Sequence, residues 1–179
     1  MKKIVLTYGV ISGVIIIGSI LLSLAVSSSG EELHALEWLG YLIMIVAFSV
    51  IFIGIKRYRD QELGGVIKFG TALKLGLGIT LVASVIYVLA WEINLMATGY
   101  SFIEDYAASV VEAREAEGLE GSDLEALKNE MEVLKERYNN PLFRLPITFS
   151  EIFPVGVLIT LIAAGVLRNS NIMPAAMTQ

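Results

Sequence analysis

Two carboxylates interrupt otherwise uncharged sequence. Glu92 follows the uncharged run 75–91, and Glu151 is the single charge within 145–167. An ionisable group in a hydrophobic segment is costly and marks a functional candidate. Glu92 stands 18 residues beyond Lys74, and Glu151 stands 17 residues before Arg168. At a 1.5 Å rise per residue both lie about 25–27 Å from a basic marker, at one depth in a membrane. Two carboxylates meeting in low dielectric could hold one proton between them at neutral pH. That would make a proton or cation site, with Asn94, Tyr87 and Trp91 close in sequence. The structural alternative is that each carboxylate reaches for the interface or pairs with Arg144.

A second cluster, Lys56, Arg57, Arg59 and Asp60, opens the loop 56–68. Basic side chains at a membrane surface attract anionic headgroups by about 1 kcal/mol each, so this is a candidate headgroup or partner loop. The alternative is an orientation anchor followed by a turn, with Asp60 pairing Arg57 or Arg59 and Gly64-Gly65 supplying positive φ. Other chemistry is thin. His34 is the only histidine and there is no cysteine, so no zinc set can be built. A Ser-His-Asp arrangement would need chance partners. Gly64, Gly65 and Gly70 follow no strand and form no dinucleotide fingerprint. Neither catalysis nor a cofactor is expected.

The elements that must position these groups are membrane spans. The chain has 179 residues, 55% of them apolar and 17% charged, with a net charge of −5; its mean hydropathy is +0.70 and its pI about 4.9. These values argue against a soluble globule or a disordered chain, and the acidic pI argues against nucleic-acid binding. About 20 apolar residues cross roughly 30 Å of hydrocarbon. Four segments qualify: about 4–26, 38–55, 71–97 and 145–167. These runs do not alternate with a period of two, which argues against a barrel. Lys2-Lys3, an apolar run and Ala25-Val26-Ser27 also match a signal peptide. The run exceeds a usual h-region, however, and Gly9 and Gly13 suit a packed helix face, so a retained span is expected.

Four spans place Lys2, Lys3, Lys56, Arg57, Arg59, Lys68, Lys74 and Arg168 on one side, and Glu31, Glu32 and Glu37 of the short loop 27–37 on the other. The positive-inside rule then makes both termini cytoplasmic. Segment 99–144 falls outside, with eleven acids against five bases, a net −6; the rest of the chain is net +1. The outer surface would attract a basic partner.

Ile103, Tyr106, Val110 and Ala113 have helical spacing, as do Leu124, Leu127, Met131, Leu134 and Tyr138. Gly118–Gly121 separates the two runs. Ser122 and Glu125 match a capping box, and Glu125–Lys128 and Glu132–Lys135 can pair at i,i+3. Helices this short are marginal alone, so the two seams either pack on each other or dock a partner through 102–138. Asn139-Asn140-Pro141 ends the second helix. The two pairs of spans also echo one another faintly, as in a parallel repeat: Tyr8-Gly9 opens span 1 as Phe69-Gly70 opens span 3, and Ile53-Gly54-Ile55-Lys56 ends span 2 much as Ala164-Gly165-Val166-Leu167-Arg168 ends span 4.

Gly54-Ile55-Lys56-Arg57-Tyr58-Arg59-Asp60, then Gly64-Gly65 with Lys68-Phe69-Gly70, and Phe153-Pro154-x-Gly156 in the last span resemble the bacterial integral membrane proteins catalogued as domain of unknown function 4199, common in Bacteroidota. The likeness runs from the first span to Arg168. It implies a four-span inner-membrane protein with a helical insert before the last span, and it transfers no activity. The expected fold is all-α: a four-transmembrane-helix bundle, a single integral membrane domain over 1–179, with an extracytoplasmic helical hairpin inserted between spans 3 and 4. The expected function is non-enzymatic. The protein would act by self-association or as a subunit or scaffold of a membrane complex, its small-residue faces (Gly9, Ser12, Gly13; Gly76, Gly78) suiting close packing. The alternative is a small proton- or cation-linked transporter or channel using Glu92 and Glu151.

Overall fold

A computed structural model describes residues 1–27 and 33–174, with side chains described for 1–18 and 40–174. Among these residues there are six helices and no strand: α1 (Lys2–Ser27), α2 (Leu33–Glu62), α3 (Phe69–Ala97), α4 (Phe102–Ala116), α5 (Gly121–Tyr138) and α6 (Pro141–Leu167). Glu31 and Glu32 of the expected acidic loop lie outside the described residues, as do the side chains of His34 and Glu37. Among the described residues three segments are long and apolar enough to cross a membrane: Gly40–Glu62, Phe69–Ala97 and Pro141–Leu167.

Two of these helices outrun the expected spans, for local reasons. The charged residues after Ile55 continue α2 because they pair along one helix face: Lys56 with Asp60, and Arg57 Nε donating to Gln61 Oε1 at 3.0 Å. The turn that follows uses both glycines at positive φ, Gly64 at 64° and Gly65 at 92°, where a Cβ would be strained. Helix α6 starts at Pro141, four residues earlier than expected. Asn140 Oδ1 accepts the Leu142 N–H at 3.0 Å, and proline is well suited to the first helical position.

The chain divides into two units, residues 1–87 with 149–179 and residues 88–148. In the first, helices approach closely where side chains are small. A Cβ on Gly9 would lie 2.6 Å from the Val82 side chain, and one on Gly13 2.7 Å from Ile86, so α1 lies directly against α3. Gly54 of α2 meets Ile79 and Tyr8, Gly76 of α3 meets Thr160, and Gly156 of α6 meets Thr80 and Phe48. Polar groups caught between the helices find partners across them. Ser12 donates to the Ala47 carbonyl at 3.0 Å, and Thr80 and Thr160 hydroxyls are 3.1 Å apart. Phe48, Ile51, Ile55, Leu75 and Ile79 are fully buried, whereas Leu6, Val14, Leu42, Ile53 and Leu158 are exposed. Such apolar surface suits hydrocarbon rather than water.

In the second unit α4 and α5 pack on each other. Lys128 pairs with Glu115 at 3.1 Å close to their connecting turn, and Glu104 and Lys135 line the same groove further from it. The inward face of α4 matches the expected one only in part, at Ile103 and the half-buried Val110. Ile103 and Ala107 are buried, while Tyr106 and Ala113 are exposed. Helix α4 ends in a Schellman motif, with the Leu119 N–H bonding the Arg114 carbonyl at 2.9 Å and Gly118 at φ 92°. The expected capping box is not formed: α5 begins at Gly121, and its N-cap is Glu120 with no side-chain bond. Lys128 reaches across to Glu115 instead of along α5 to Glu125, whereas Lys135–Glu132 forms as expected at 2.7 Å.

If the small residues set the helix spacing, filling one should loosen the bundle. Gly156→Ile is expected to destabilise the detergent-solubilised protein by about 1–3 kcal/mol. Gly165→Ala, with open space around its Cβ, should leave stability unchanged or raise it by up to ~1 kcal/mol. Thermal unfolding followed by circular dichroism distinguishes the two outcomes.

Candidate functional site

Glu92 sits in the last turns of α3 and Arg144 in the first turn of α6. Arg144 Nε and Nη2 each donate to a different Glu92 carboxylate oxygen, both at 2.7 Å. This two-pronged geometry is the strongest a guanidinium and a carboxylate can make. Arg144 is 3% exposed and the Glu92 side chain 20%. The remaining face of the guanidinium is also occupied. Nη1 donates to the Tyr138 carbonyl at 2.8 Å, and the Tyr100 and Tyr138 rings lie 5.2 Å and 5.8 Å from the guanidinium carbon.

Further aromatic contacts hold this arrangement. Trp91 Nε1 donates to Tyr138 Oη at 2.9 Å, and Phe102 meets Trp91 edge-on at 4.9 Å. Tyr100 pays a backbone cost, with φ at 63° directly after Gly99 at 65°. A left-handed non-glycine residue costs roughly 1–2 kcal/mol, and a partly desolvated cation–π contact returns about 0.5–2 kcal/mol. The Tyr100 N–H also closes α3 by bonding the Leu95 carbonyl at 2.8 Å. Glu92 is therefore held as one half of an ion pair.

Glu151 has a different setting. It is exposed on α6 and accepts a hydrogen bond from Tyr87 Oη at 3.4 Å. Asn94 is half-buried, and its carbonyl accepts the Thr98 hydroxyl at 3.0 Å. Glu92 and Glu151 thus each have a neutralising or hydrogen-bonding partner of their own. No group of three His, Cys, Asp or Glu able to hold a metal occurs among the described residues.

The basic cluster also separates into two roles. Arg59 is fully buried. Its Nε donates to Asp60 at 2.7 Å, and its Nη atoms reach the carbonyls of Leu167 at 3.4 Å, Ile172 at 3.0 Å and Met173. The last carbonyls of a helix have no intrahelical donor and carry partial negative charge, so Arg59 of α2 caps α6. Asp60 is shared between Arg59 and Lys56. Arg57 is exposed, and its Nη1 contacts Tyr8 Oη at 3.3 Å.

Sequence reasoning missed the aromatic surround of Arg144 and the capping by Arg59. The first had a signal in the density of Tyr100, Phe102 and Tyr138 around the acidic segment. The second had none, because it joins residues 108 positions apart.

The Glu92–Arg144 pair predicts strong coupling in a double-mutant cycle. Arg144→Gln should cost on the order of 2–3 kcal/mol of unfolding free energy, below the 3–5 kcal/mol of a fully buried pair because Glu92 is partly exposed. Adding Glu92→Gln to it should cost little more, a coupling of at least ~1 kcal/mol. Additive losses in chemical denaturation of the purified protein would show that the pair carries no energy.

No curated protein and no solved structure matches this chain. A family profile matches residues 7–169, which takes in α2 to α6, all but the first turn or so of α1, and the Glu92–Arg144 pair. The chain belongs to that family, described as protein of unknown function (DUF4199).

Proposed function

We propose that this chain is a non-enzymatic, four-span integral membrane protein of the bacterial inner membrane that acts by association, with itself or with a larger membrane complex. In this reading α1 is the fourth span, both termini are cytoplasmic, and α4 and α5 form a helical hairpin on the outer side. The inside-only distribution of basic residues in 1–74 and at Arg168 supports the orientation, and the family resemblance supports the inner membrane. Lys56 and Arg57 are the members of the basic cluster left to meet headgroups or a partner, since Arg59 is buried within the protein.

The observation that carries the association reading is α5. It buries no residue. Its seam of Leu124, Leu127, Met131, Leu134 and Tyr138 is only half-covered, although α4 lies against it. An amphipathic helix owes its stability mainly to what its apolar face packs on, so a half-covered seam favours a further partner over a self-sufficient pair. The transporter reading is weakened by the Glu92–Arg144 pair, which occupies one of the two carboxylates it needs.

Photo-crosslinking in native membranes tests association. A photoreactive residue at Leu127 or Leu134, with mass spectrometry of the adducts, should return links to another polypeptide or a second copy. Recovery of intrachain links alone would contradict the proposal.

A further inference from the structure

The facing sides of α4 and α5 leave a groove of about 600 Å³. Small or flexible apolar side chains line part of it, Ala107, Ala108 and Val111 on α4 and Met131 on α5, with Ala107 buried. Its rim is charged, but the charges are unequal. Lys128 and Lys135 are already engaged, by Glu115 at 3.1 Å and Glu132 at 2.7 Å. Glu104 and Glu112 also line the groove; neither is within ion-pairing distance of a base among the described residues, although Glu104 is near enough to Lys135 to help hold its proton. The surrounding segment 99–144 carries a net −6.

We propose that this groove docks a cationic amphipathic helix of a separate polypeptide, as the third helix against α4 and α5. The inference rests on the association reading above and names the chemistry of its partner. Glu104 and Glu112 are eight residues apart on α4, two turns or about 12 Å. A docked helix answers them with Lys or Arg at positions seven or eight apart. Between those cations, the small side chains of Ala107 and Ala108 leave room for a bulky apolar side chain such as Leu, as a helix laid in a groove uses its anchor residues. A second copy of this chain is the wrong occupant on charge, because it would bring another −6 to the same surface and like charges at an interface oppose association. A cationic helix gains from the same field, and its affinity falls as salt screens the rim.

The test uses the full chain in zwitterionic phosphatidylcholine nanodiscs, with empty discs as the background. Three fluorescent peptides of about four turns are titrated: a Leu-striped helix with Lys at i and i+7, its Glu counterpart, and a scrambled Lys peptide of the same composition. Anisotropy should show the Lys helix binding at least tenfold tighter than either control, with affinity falling as salt rises. Glu112→Lys and Ala108→Trp, both at exposed positions that line the groove, should each weaken it about tenfold. Circular dichroism checks that both variants keep their helix content. Equal binding of the Lys and Glu peptides, binding no greater than to empty discs, or unchanged affinity in both variants would overturn the proposal. So would concentration-dependent dimers of the chain that the Lys helix fails to disrupt. Crosslinks to another protein in native membranes, combined with no preference for the Lys helix, would sink this inference while leaving association standing.

Discussion

A guanidinium taken out of water must be paired, and two such groups organise this protein. Arginine stays charged and presents five donors, and burying it without partners costs several kcal/mol. Arg144 meets this demand with both oxygens of Glu92, the Tyr138 carbonyl and two tyrosine rings. Arg59 meets it with Asp60 and the carbonyls at and beyond the end of α6. Much local structure follows. α6 must begin at Pro141 for Arg144 to lie one turn in, and the chain after α3 must turn through Gly99 and Tyr100 for the tyrosine to face the cation. In the other unit, the segment following α6 must fold back to the last turn of α2.

Close approach is the second constraint, and it follows from the solvent. Lipid tails give apolar helices no hydrophobic reason to associate, so contact depends on van der Waals packing and interhelical hydrogen bonds. Gly9, Gly13, Gly54, Gly76 and Gly156 permit that packing, and Ser12–Ala47 and Thr80–Thr160 supply the hydrogen bonds. Helices α4 and α5 follow the opposite logic. Their outer faces are charged, and ion pairs such as Lys128–Glu115 guide their register. Glu132 also raises the Lys135 pKa through its hydrogen bond, so that lysine keeps its charge beside the groove.

What could be read in advance depended on range. The apolar runs, the Gly64-Gly65 turn and the break at Gly118 are local signals, and they appear as helices and positive-φ glycines. The Gly9–Gly13 face was legible because small residues at a four-residue interval have one main use in a membrane. Helix ends were less so. A count of apolar residues stops at Ile55 and starts again at Leu145, while side-chain pairs and the Asn140 cap carry the helices to Glu62 and back to Pro141. The Ser122–Glu125 box failed because α5 begins at Gly121, placing Ser122 inside the first turn. Of the candidate site, the pairing of Glu92 with Arg144 was readable as one alternative among others. Burial of Arg59 was not, since a basic residue after a span looks like an anchor until α6 is laid beside it.

The proposed orientation puts the basic residues inside and the acidic helices α4 and α5 outside, and the absence of cysteine makes it directly measurable. Single cysteines can be placed at Ser122 in α5 and at Asn169 after α6, then exposed to a membrane-impermeant maleimide in intact spheroplasts. The cysteine at 122 is expected to label in intact spheroplasts, and the one at 169 only after the membrane is opened. Labelling in the reverse order, or of both sites in intact spheroplasts, would contradict that orientation.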